Sequence, residues 1–157
     1  MKITIIGGGP GGLYFSILTK KAMPDCEIDV YERNKSDDSF GFGVVFSDET
    51  LGEFLKRDMQ SYELIRSNFA YWDDIIIARD GETVTIAGNG FCGCSRKTLL
   101  KLLHQRCLEE GVNLHFEQNV ADISQFADSD IIIASDGIAS AVRTTYAKEF
   151  GTKIELK

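Results

Sequence analysis

Short apolar runs alternate with helical stretches along much of this chain. Apolar residues predominate at positions 3–6 and 27–31 and fill 131–134, and each run has the length of a strand. A helix is predicted from about Gly11 to Met23, because its apolar positions fall on one face. These positions are Leu13, Ile17 and Leu18. The alternation predicts an α/β fold with a parallel sheet, since buried parallel strands are short and fully apolar.

The middle of the chain has a different pattern, typical of an antiparallel pair. Residues 69–78 and 83–86 are rich in aromatic and β-branched side chains. The segment between them, 79–82, contains Asp-Gly, which favours a β-hairpin turn. A parallel α/β sheet needs no such hairpin. We therefore expect it to be inserted into the strand–helix–strand plan.

Capping residues predict where the other helices begin and end. Ser47 is a good N-cap for a helix through Leu55, and a second short helix is predicted over 62–66. Ser95 caps a helix over 96–110 that stops at Gly111. The apolar face of that helix comprises Leu99, Leu100, Leu102, Leu103, Cys107 and Leu108. A strand over 112–117 and a final helix from near Ser140 complete the prediction.

The first apolar run leads directly into a cluster of glycines. Read as G-x-G-x-x-G, the cluster uses Gly7, Gly9 and Gly12, and Glu32 follows twenty positions beyond Gly12, at the end of the second strand. Strand, turn, helix and terminal acid together are typical of a dinucleotide-binding site. The first glycine permits the tight turn, the second lets the backbone approach a pyrophosphate, and the third lets the helix pack on the strand. Pro10 and Gly11 open the helix, whose N-terminus attracts phosphates.

Glu32 indicates which nucleotide this site prefers. Its carboxylate can accept hydrogen bonds from both ribose hydroxyls, and its charge disfavours a 2′-phosphate. FAD or NAD is therefore expected rather than NADP. The structural alternative is an ordinary glycine-rich turn between a strand and a helix.

Composition narrows the classes of partner. The net charge of −7 and the pI near 4.8 argue against nucleic acid or a membrane surface. No apolar run approaches the roughly 20 residues of a membrane span, and no signal-peptide pattern precedes the first strand, so a cytoplasmic protein is expected. A zinc site at Cys92 and Cys94 would need further ligands, and no histidine has the spacing to provide one. The cysteines are therefore expected to be buried reduced thiols. His104 and His115 are interpreted as structural.

A second constellation follows the apolar run at 131–134. Asp136 and Gly137 stand where this strand would leave the sheet, and Ser140 and Arg143 come next. Ligands of open α/β sheets bind at the carboxyl ends of the strands, so Asp136 can face the same crevice as Gly9. Its alternative interpretation is an Asp-Gly turn in which the aspartate caps a helix.

These motifs together resemble one enzyme family. The resemblance rests on the fingerprint ending in Glu32-Arg33, the turn at Asp136-Gly137 with Ser140 and Arg143, and the helix start Arg96-Lys97-x-Leu99. They resemble the FAD-dependent aromatic hydroxylases, the single-component class A flavoprotein monooxygenases. The run from Phe40 to Asp48 and the segment Gly90-Phe91-Cys92-Gly93 are most similar to the salicylyl-CoA 5-hydroxylase and 2-aminobenzoyl-CoA monooxygenase group. The tryptophan-hydroxylating enzymes of violacein biosynthesis look like more distant relatives.

The resemblance implies a Rossmann-like FAD/NAD(P)-binding fold and a role for each motif residue. The three motif glycines would receive the FAD pyrophosphate, Glu32 the adenosine ribose, and Arg33 would lie against the adenine or ribose. Arg96 would offset the phosphate charge. Asp136 with Gly137 would lie near the pyrophosphate or ribityl chain, and its turn is also tied to nicotinamide use. The residues that would pass close to the isoalloxazine ring are Gly43, Val44 and Val45.

In this family, the flavin cofactor would carry out the activation of oxygen. NAD(P)H reduces the flavin, oxygen adds to give a C4a-hydroperoxide, and an aromatic substrate, here expected to be a CoA thioester, is hydroxylated. None of the motif residues is identified as a general base for this reaction. Family members are longer and carry a second, Gly-Asp flavin motif. The chain over 1–157 is therefore expected to be the N-terminal portion of the FAD-binding domain, with weak or no FAD retention and no hydroxylation alone. An exposed apolar sheet edge is also expected, through which copies could self-associate.

Two other classes of function stay open at this point. A small NAD-dependent dehydrogenase would need a hydride-transfer site such as Tyr-x-x-x-Lys, and the match from Tyr31 to Lys35 falls at the end of a strand, where it looks accidental. The other hypothesis is a non-catalytic nucleotide-binding or interaction module that a partner chain completes. Bound flavin absorbs visible light and NAD does not, so cofactor colour separates the first two.

Overall fold

The structure, a computed structural model, describes residues 1–38 and 41–153, and Phe40 of the phenylalanine-glycine run lies outside them. The chain divides into two compact units. The first unit contains residues 1–38 and 103–153. The second unit contains residues 41–102. The strands are β1 (Lys2–Ile6), β2 (Glu27–Tyr31), β3 (Gly43–Ser47), β4 (Ala70–Trp72), β5 (Ile75–Arg79), β6 (Glu82–Ile86), β7 (Phe91–Ser95), β8 (Asn113–His115) and β9 (Ile131–Ala134). The helices are α1 (Pro10–Ala22), α2 (Asp48–Arg57), α3 (Met59–Asn68), α4 (Arg96–Glu109), α5 (Ala141–Thr145) and α6 (Ala147–Phe150).

The first unit is built on a four-stranded parallel sheet. Its strand order is β8-β2-β1-β9, so β1 is central and α1 makes the connection from β1 to β2. Ile3 of β1 pairs with Ile28 of β2 on one side and with Ile131 of β9 on the other. The prediction of an α/β fold with a parallel sheet is confirmed.

The core of the first unit forms where α1 covers this sheet. Ile5 and Ile28 from the strands and Leu13 and Ile17 from α1 are fully buried. Burying each of these side chains stabilises the fold by about 1.5–3 kcal/mol. A smaller cluster joins Ile6 to three residues from the last third of the chain, which are Val120, Phe126 and Val142. Phe126 ends a 3₁₀ helix, Ile123–Phe126, that the sequence pattern did not predict.

The second unit is antiparallel. β3, β7 and β4 form a three-stranded sheet in that order, with Val45 of β3 opposite Gly93 of β7. Phe46, on the other face of β3, packs its ring at 5.6 Å from that of Phe69 and at 5.4 Å from that of Phe54. This face is therefore the one covered by α2 and the residues that end α3.

The predicted hairpin is confirmed as the pair β5–β6. Arg79 lies opposite Glu82, and the two residues between them, Asp80 and Gly81, have φ of 52° and 85°. Positive φ at both positions is the type I′ turn that Asp-Gly favours. Apolar side chains of the hairpin are exposed, Ile76 by 67% and Val84 by 59%.

Helix ends agree with the predicted caps, whereas some helical faces do not. Ser47 accepts a hydrogen bond from the amide of Thr50 at 3.3 Å and begins α2, as predicted. α4 ends at Glu109, and the predicted stop Gly111 follows two residues later with a φ of +79°. The prediction that Leu108 belongs to the buried face of α4 is wrong, because its side chain is 63% exposed. Position 108 adjoins the buried Cys107 but lies about 100° further round the helix, and an apolar side chain there needs no burial.

Within the residues that the structure describes, no helix is both long and apolar enough to cross a membrane. All four cysteines are free thiols, and Cys26, Cys92 and Cys107 are buried. Cys107 is fully buried, its thiol donates to the carbonyl oxygen of Leu13 at 3.5 Å, and burial raises the pKa of this thiol to about 12.

We expect Cys107 of the folded protein to resist alkylation by iodoacetamide at pH 8, because its thiol is both inaccessible and almost entirely protonated. Cys94, which is only half-buried, should be modified first. Peptide mass spectrometry after timed labelling gives both rates, and unfolding in urea should equalise them. Labelling of Cys107 as fast as Cys94 in the folded protein would contradict its burial.

Candidate functional site

The turn after β1 is held tightly against the turn after β9. Gly7 has φ of +105°, and its amide donates to the carbonyl oxygen of Tyr31 at 2.8 Å. A Cβ added to Gly7 would lie 2.4 Å from the carbonyl oxygen of Ser135 and 2.7 Å from the Cα of Asp136. Only glycine fits such a close approach of two backbones. The structure therefore brings the glycine cluster and the Asp136 turn to the same end of the sheet.

Gly12 is as tightly enclosed as Gly7. A Cβ at this position would lie 2.3 Å from the carbonyl oxygen of Gly7 and 2.5 Å from the hydroxyl oxygen of Ser135. The Ser135 hydroxyl lies 2.8 Å from the Gly7 carbonyl oxygen and 3.1 Å from that of Ile6. Ser135 thus holds the turn in shape, a role that its position in the sequence did not indicate.

Gly9 differs from both, because its backbone faces open space. A Cβ added there would meet no atom within 4 Å, and its φ of −75° with ψ of 173° is ordinary extended backbone. Gly9 is the N-cap of α1, no side chain caps the helix, and Pro10 follows at the first helical position. The amides of Gly11 and Gly12 have no acceptor within the helix, and the helix dipole adds positive potential beside them. This open, positive backbone suits an anion such as a pyrophosphate.

Glu32 stands beside this turn at the tip of β2. One carboxylate oxygen, Oε2, accepts from the amide of Gly8 at 2.8 Å. The other, Oε1, accepts from the backbone amide of Asn34 at 2.9 Å and from its side-chain amide at 2.6 Å. A half-buried carboxylate is therefore fixed next to the start of α1. Gly8 and Asn34, which fix it, were not among the sequence-predicted residues.

The side chain of Asp136 caps a helix. Its oxygens accept from the hydroxyl of Ser140 at 2.5 Å and from the amides of Ala141 and Val142 at 2.8 and 3.3 Å. Ser140 in turn accepts from the amide of Arg143 at 2.9 Å, and the guanidinium of Arg143 donates to the Ile138 carbonyl. Of the two interpretations of the motif, this is the capping one. Gly137, with φ of +84°, completes the turn.

Of the remaining sequence-predicted residues, one belongs to the first unit and four belong to the second. Arg33 is exposed after β2 in the first unit. Gly43, Val44 and Val45 form the start of β3 in the second unit, where Val44 and Val45 point to opposite faces and Val45 is 58% exposed. Arg96 lies beside them in that unit, because its amide donates to the Phe42 carbonyl at 3.4 Å.

One histidine has a partner that the sequence did not indicate. Nε2 of His115 lies 2.8 Å from Oδ1 of the buried Asp29. The ring of Tyr31 stacks on the His115 ring, with the two centroids 4.6 Å apart. The pair joins β8 to β2, which are far apart in sequence. Within the described ranges, 1–38 and 41–153, no group of three or more His, Cys, Asp or Glu side chains could hold a metal ion.

Curated relatives match nearly the whole chain. Salicyloyl-CoA 5-hydroxylase of a Streptomyces species is 43% identical over 156 residues, which is 99% of this chain and 30% of that protein. The 3-hydroxy-4-methyl-anthranilyl-[aryl-carrier protein] 5-monooxygenase of Streptosporangium sibiricum is 32% identical over 97% of this chain and 42% of its own length. Protodeoxyviolaceinate monooxygenase of Chromobacterium violaceum is 28% identical over 88% of this chain. No family model matches the chain.

Solved structures share the fold at low identity. A 2-methyl-3-hydroxypyridine-5-carboxylic acid oxygenase superposes with a TM-score of 0.77 and 18% identity, over 92% of this chain and 41% of that one. The Diels-Alderase PyrE3 superposes with a TM-score of 0.72, over 93% of this chain and 34% of that one. Since an oxygenase and a Diels-Alderase share this fold, the fold alone does not identify the reaction.

The chain spans between about a third and two fifths of the curated relatives it matches. One is named a hydroxylase and the other two are named monooxygenases, which agrees with the family resemblance inferred from the sequence motifs. That resemblance is confirmed, because salicyloyl-CoA 5-hydroxylase and two named monooxygenases are among the relatives that match this chain.

Proposed function

We propose that this chain is the FAD-binding portion of an NAD(P)H-dependent monooxygenase that hydroxylates an aromatic acyl substrate. The observation that carries the proposal is the open backbone at Gly9, next to a carboxylate held in place at Glu32. The two features suit the pyrophosphate and the ribose of one ADP group. The similarity supports flavin over other nucleotides, because one relative is named as a hydroxylase of salicyloyl-CoA and another as a monooxygenase of an anthranilyl group. The parallel strand order with β1 in the centre supports a dinucleotide-binding, Rossmann-like arrangement.

In this proposal, residues of the first unit hold the cofactor. The first amides of α1 and the bare backbone at Gly9 receive the pyrophosphate, and Glu32 accepts from the ribose. Gly7, Gly12 and Ser135 keep the turn in the shape that exposes those amides. Bound FAD would supply the redox chemistry by which oxygen is activated. For Arg33, Gly43, Val44, Val45 and Arg96, the binding roles implied by the resemblance stay predictions.

Asp136 takes a different part in the proposal from the one expected at first. Because its carboxylate is engaged by Ser140, Ala141 and Val142, we assign it to shaping the turn that faces Gly7. Gly137 permits that turn. Contact with the cofactor from this segment would then come from its backbone.

The names of the relatives support the class of substrate. One is named for salicyloyl-CoA and another for an anthranilyl group on an aryl-carrier protein, so both names describe an aromatic acyl group attached to a carrier. We therefore propose an aromatic acyl thioester as the substrate of the whole enzyme. The chain described here is expected to bind nucleotide without hydroxylating that substrate.

Titration with FAD, ADP, FMN and NAD tests the cofactor assignment. FAD and ADP should bind saturably and FMN at least about tenfold more weakly, because the site is built around the adenosine end. Glu32→Ala should weaken FAD and ADP about tenfold or more, since a hydrogen bond to a carboxylate contributes about 1.5–3 kcal/mol. Flavin fluorescence and calorimetry give the dissociation constants, and Glu63→Ala, an exposed position in α3, is the matched control.

A nucleotide-binding module that uses NAD is the second candidate, and one observation favours it. The groups held in place at Gly9 and Glu32 suit ADP, which FAD and NAD share. Tight NAD binding without FAD binding would therefore overturn the flavin assignment while leaving the site itself intact. Binding of neither nucleotide would overturn the site.

A further inference from the structure

Glu32 carries an unusually complete set of hydrogen bonds for a carboxylate at the tip of a strand. Asn34 donates to Oε1 twice, through its backbone amide at 2.9 Å and its side-chain amide at 2.6 Å. Gly8 donates to Oε2 at 2.8 Å. The carboxylate plane is therefore fixed from both sides. A side chain with three rotatable bonds has been reduced to one orientation.

The backbone that presents Asn34 is itself anchored. The amide of Glu32 donates to the His115 carbonyl at 2.8 Å, and the Glu32 carbonyl accepts from Gln118 at 2.9 Å. Two residues after Glu32, the carbonyl of Asn34 accepts from the amide of Glu117 at 3.1 Å. These bonds tie residues 32–34 to the segment that follows β8. Asn34 is consequently held beside Glu32 by its backbone contacts as well as by its own side chain.

The number of acceptor positions left on Glu32 follows from this arrangement. A carboxylate offers about four lone-pair positions, two on each oxygen. Asn34 fills both positions on Oε1, and Gly8 fills one on Oε2. One position is left, on Oε2, the oxygen that faces the glycine turn. A ribose presents two neighbouring hydroxyls, and only one of them can donate there.

We propose that Asn34 is a positioning residue that makes Glu32 the acceptor for a single ribose hydroxyl of the bound nucleotide. This inference rests on the proposed nucleotide function and replaces the expectation that Glu32 accepts from both hydroxyls. Because Asn34 occupies Oε1, the oxygen left to accept a hydrogen bond from the ribose is Oε2. The second hydroxyl is left to solvent or to another group.

Deoxy analogues of ADP test the proposal directly. Dissociation constants for ADP, 2′-deoxy-ADP and 3′-deoxy-ADP are measured by calorimetry on the wild-type chain and on Asn34→Ala. For the wild type, removal of one hydroxyl should weaken binding about tenfold and removal of the other less than about twofold. In Asn34→Ala, the carboxylate can rotate, so ADP should bind several-fold more weakly. The ratio between the two deoxy analogues should fall towards one.

The ratio separates positioning from a merely structural role. If Asn34 only stabilised the loop, Asn34→Ala would weaken all three nucleotides equally and leave the ratio unchanged. Asn68→Ala, which removes a side-chain bond to the Leu64 carbonyl in α3, is the matched control and should behave as wild type. Thermal unfolding of both variants verifies that they fold, and Asn34→Ser, a smaller polar replacement, serves if Asn34→Ala does not.

Two results would overturn the inference alone. One is equal loss of affinity for both deoxy analogues by the wild type, and the other is an unchanged ratio in Asn34→Ala. If the wild type binds no ADP, the proposed function fails and this inference fails with it. The two failures are distinguishable, because only the second removes binding of ADP itself.

Discussion

Gly12→Ala should lower the free energy of unfolding by about 3 kcal/mol or more, and Gly7→Ala by a similar amount. Overpacking a close-packed site costs typically 1–3 kcal/mol, and more where the neighbour is backbone that cannot move aside. The new Cβ would lie 2.3 Å from the Gly7 carbonyl oxygen in one case and 2.4 Å from that of Ser135 in the other. At Gly7, a φ of +105° adds backbone strain. Urea unfolding followed by circular dichroism gives the change.

Gly52→Ala is the matched control for these two substitutions. Gly52 lies within α2, and a Cβ there would meet nothing within 4 Å. The control should be as stable as wild type or more stable by up to about 1 kcal/mol, because alanine is the better helix former. An unchanged unfolding midpoint for Gly12→Ala would mean that the glycine turn does not lie against Ser135.

Gly9→Val should have the opposite signature, with stability nearly unchanged and FAD affinity lowered about 100-fold. Valine adopts extended backbone readily, and the added Cβ has open space around it, so the fold should tolerate it. The side chain would fill the space through which the pyrophosphate approaches the first amides of α1. Loss of two charge-assisted hydrogen bonds, about 3 kcal/mol together, corresponds to that factor. Flavin fluorescence titration measures the affinity.

Gly9→Ala provides a graded intermediate, because a single methyl group intrudes less than a branched side chain. Its affinity should fall between those of the wild type and Gly9→Val, with thermal unfolding unchanged in all three proteins. Wild-type affinity in Gly9→Val would show that the pyrophosphate does not pass this residue. The proposed site would then have to lie elsewhere in the chain.

Local chemistry is what made much of the fold predictable. A buried apolar run leading into glycines predicts β1 and α1, and the Asp-Gly turn predicts the pair β5–β6. Ser47 caps α2 through a hydrogen bond three residues away. Each of these features depends on neighbours within a few positions, and such neighbours can be read from a single sequence.

Pairings between distant residues could not be predicted in the same way. Strand β7 contains Gly93 at its centre, glycine has weak strand propensity, and the strand is defined by its pairing with β3 and β4. The contact of His115 with Asp29 joins strands whose neighbourhood no local pattern specifies. The parallel register of β1 with β9 likewise exists only in the folded chain.

The candidate site shows the same division. The motif predicted a tight turn at Gly7, access of a pyrophosphate to the backbone at Gly9, and packing of the helix on the strand at Gly12. A Cβ added at Gly9 would meet open space, whereas a Cβ at Gly7 or Gly12 would lie within 2.5 Å of other atoms. Asn34 was missed, because its amide matters only through the geometry of Glu32. For Asp136, the sequence allowed both a cap and a ligand. Asp136 accepts from the amides of Ala141 and Val142, which is the capping arrangement, because amides at the start of a helix need acceptors. Its role toward a ligand stays a prediction.

The contact between Ser135 and the glycine turn has a consequence for the order of folding. Ser135 and Ile6, which it hydrogen-bonds, are 129 positions apart in the chain. Closing so long a loop is slow and entropically unfavourable compared with forming the hairpin β5–β6 or winding α4. Helices and the hairpin are therefore expected to form early, whereas the turn that exposes the amides of α1 reaches its final shape only when β9 joins β1. Competence to bind a nucleotide would then arise as one of the last events of folding, although the residues that carry it lie about a hundred positions before β9 in the sequence.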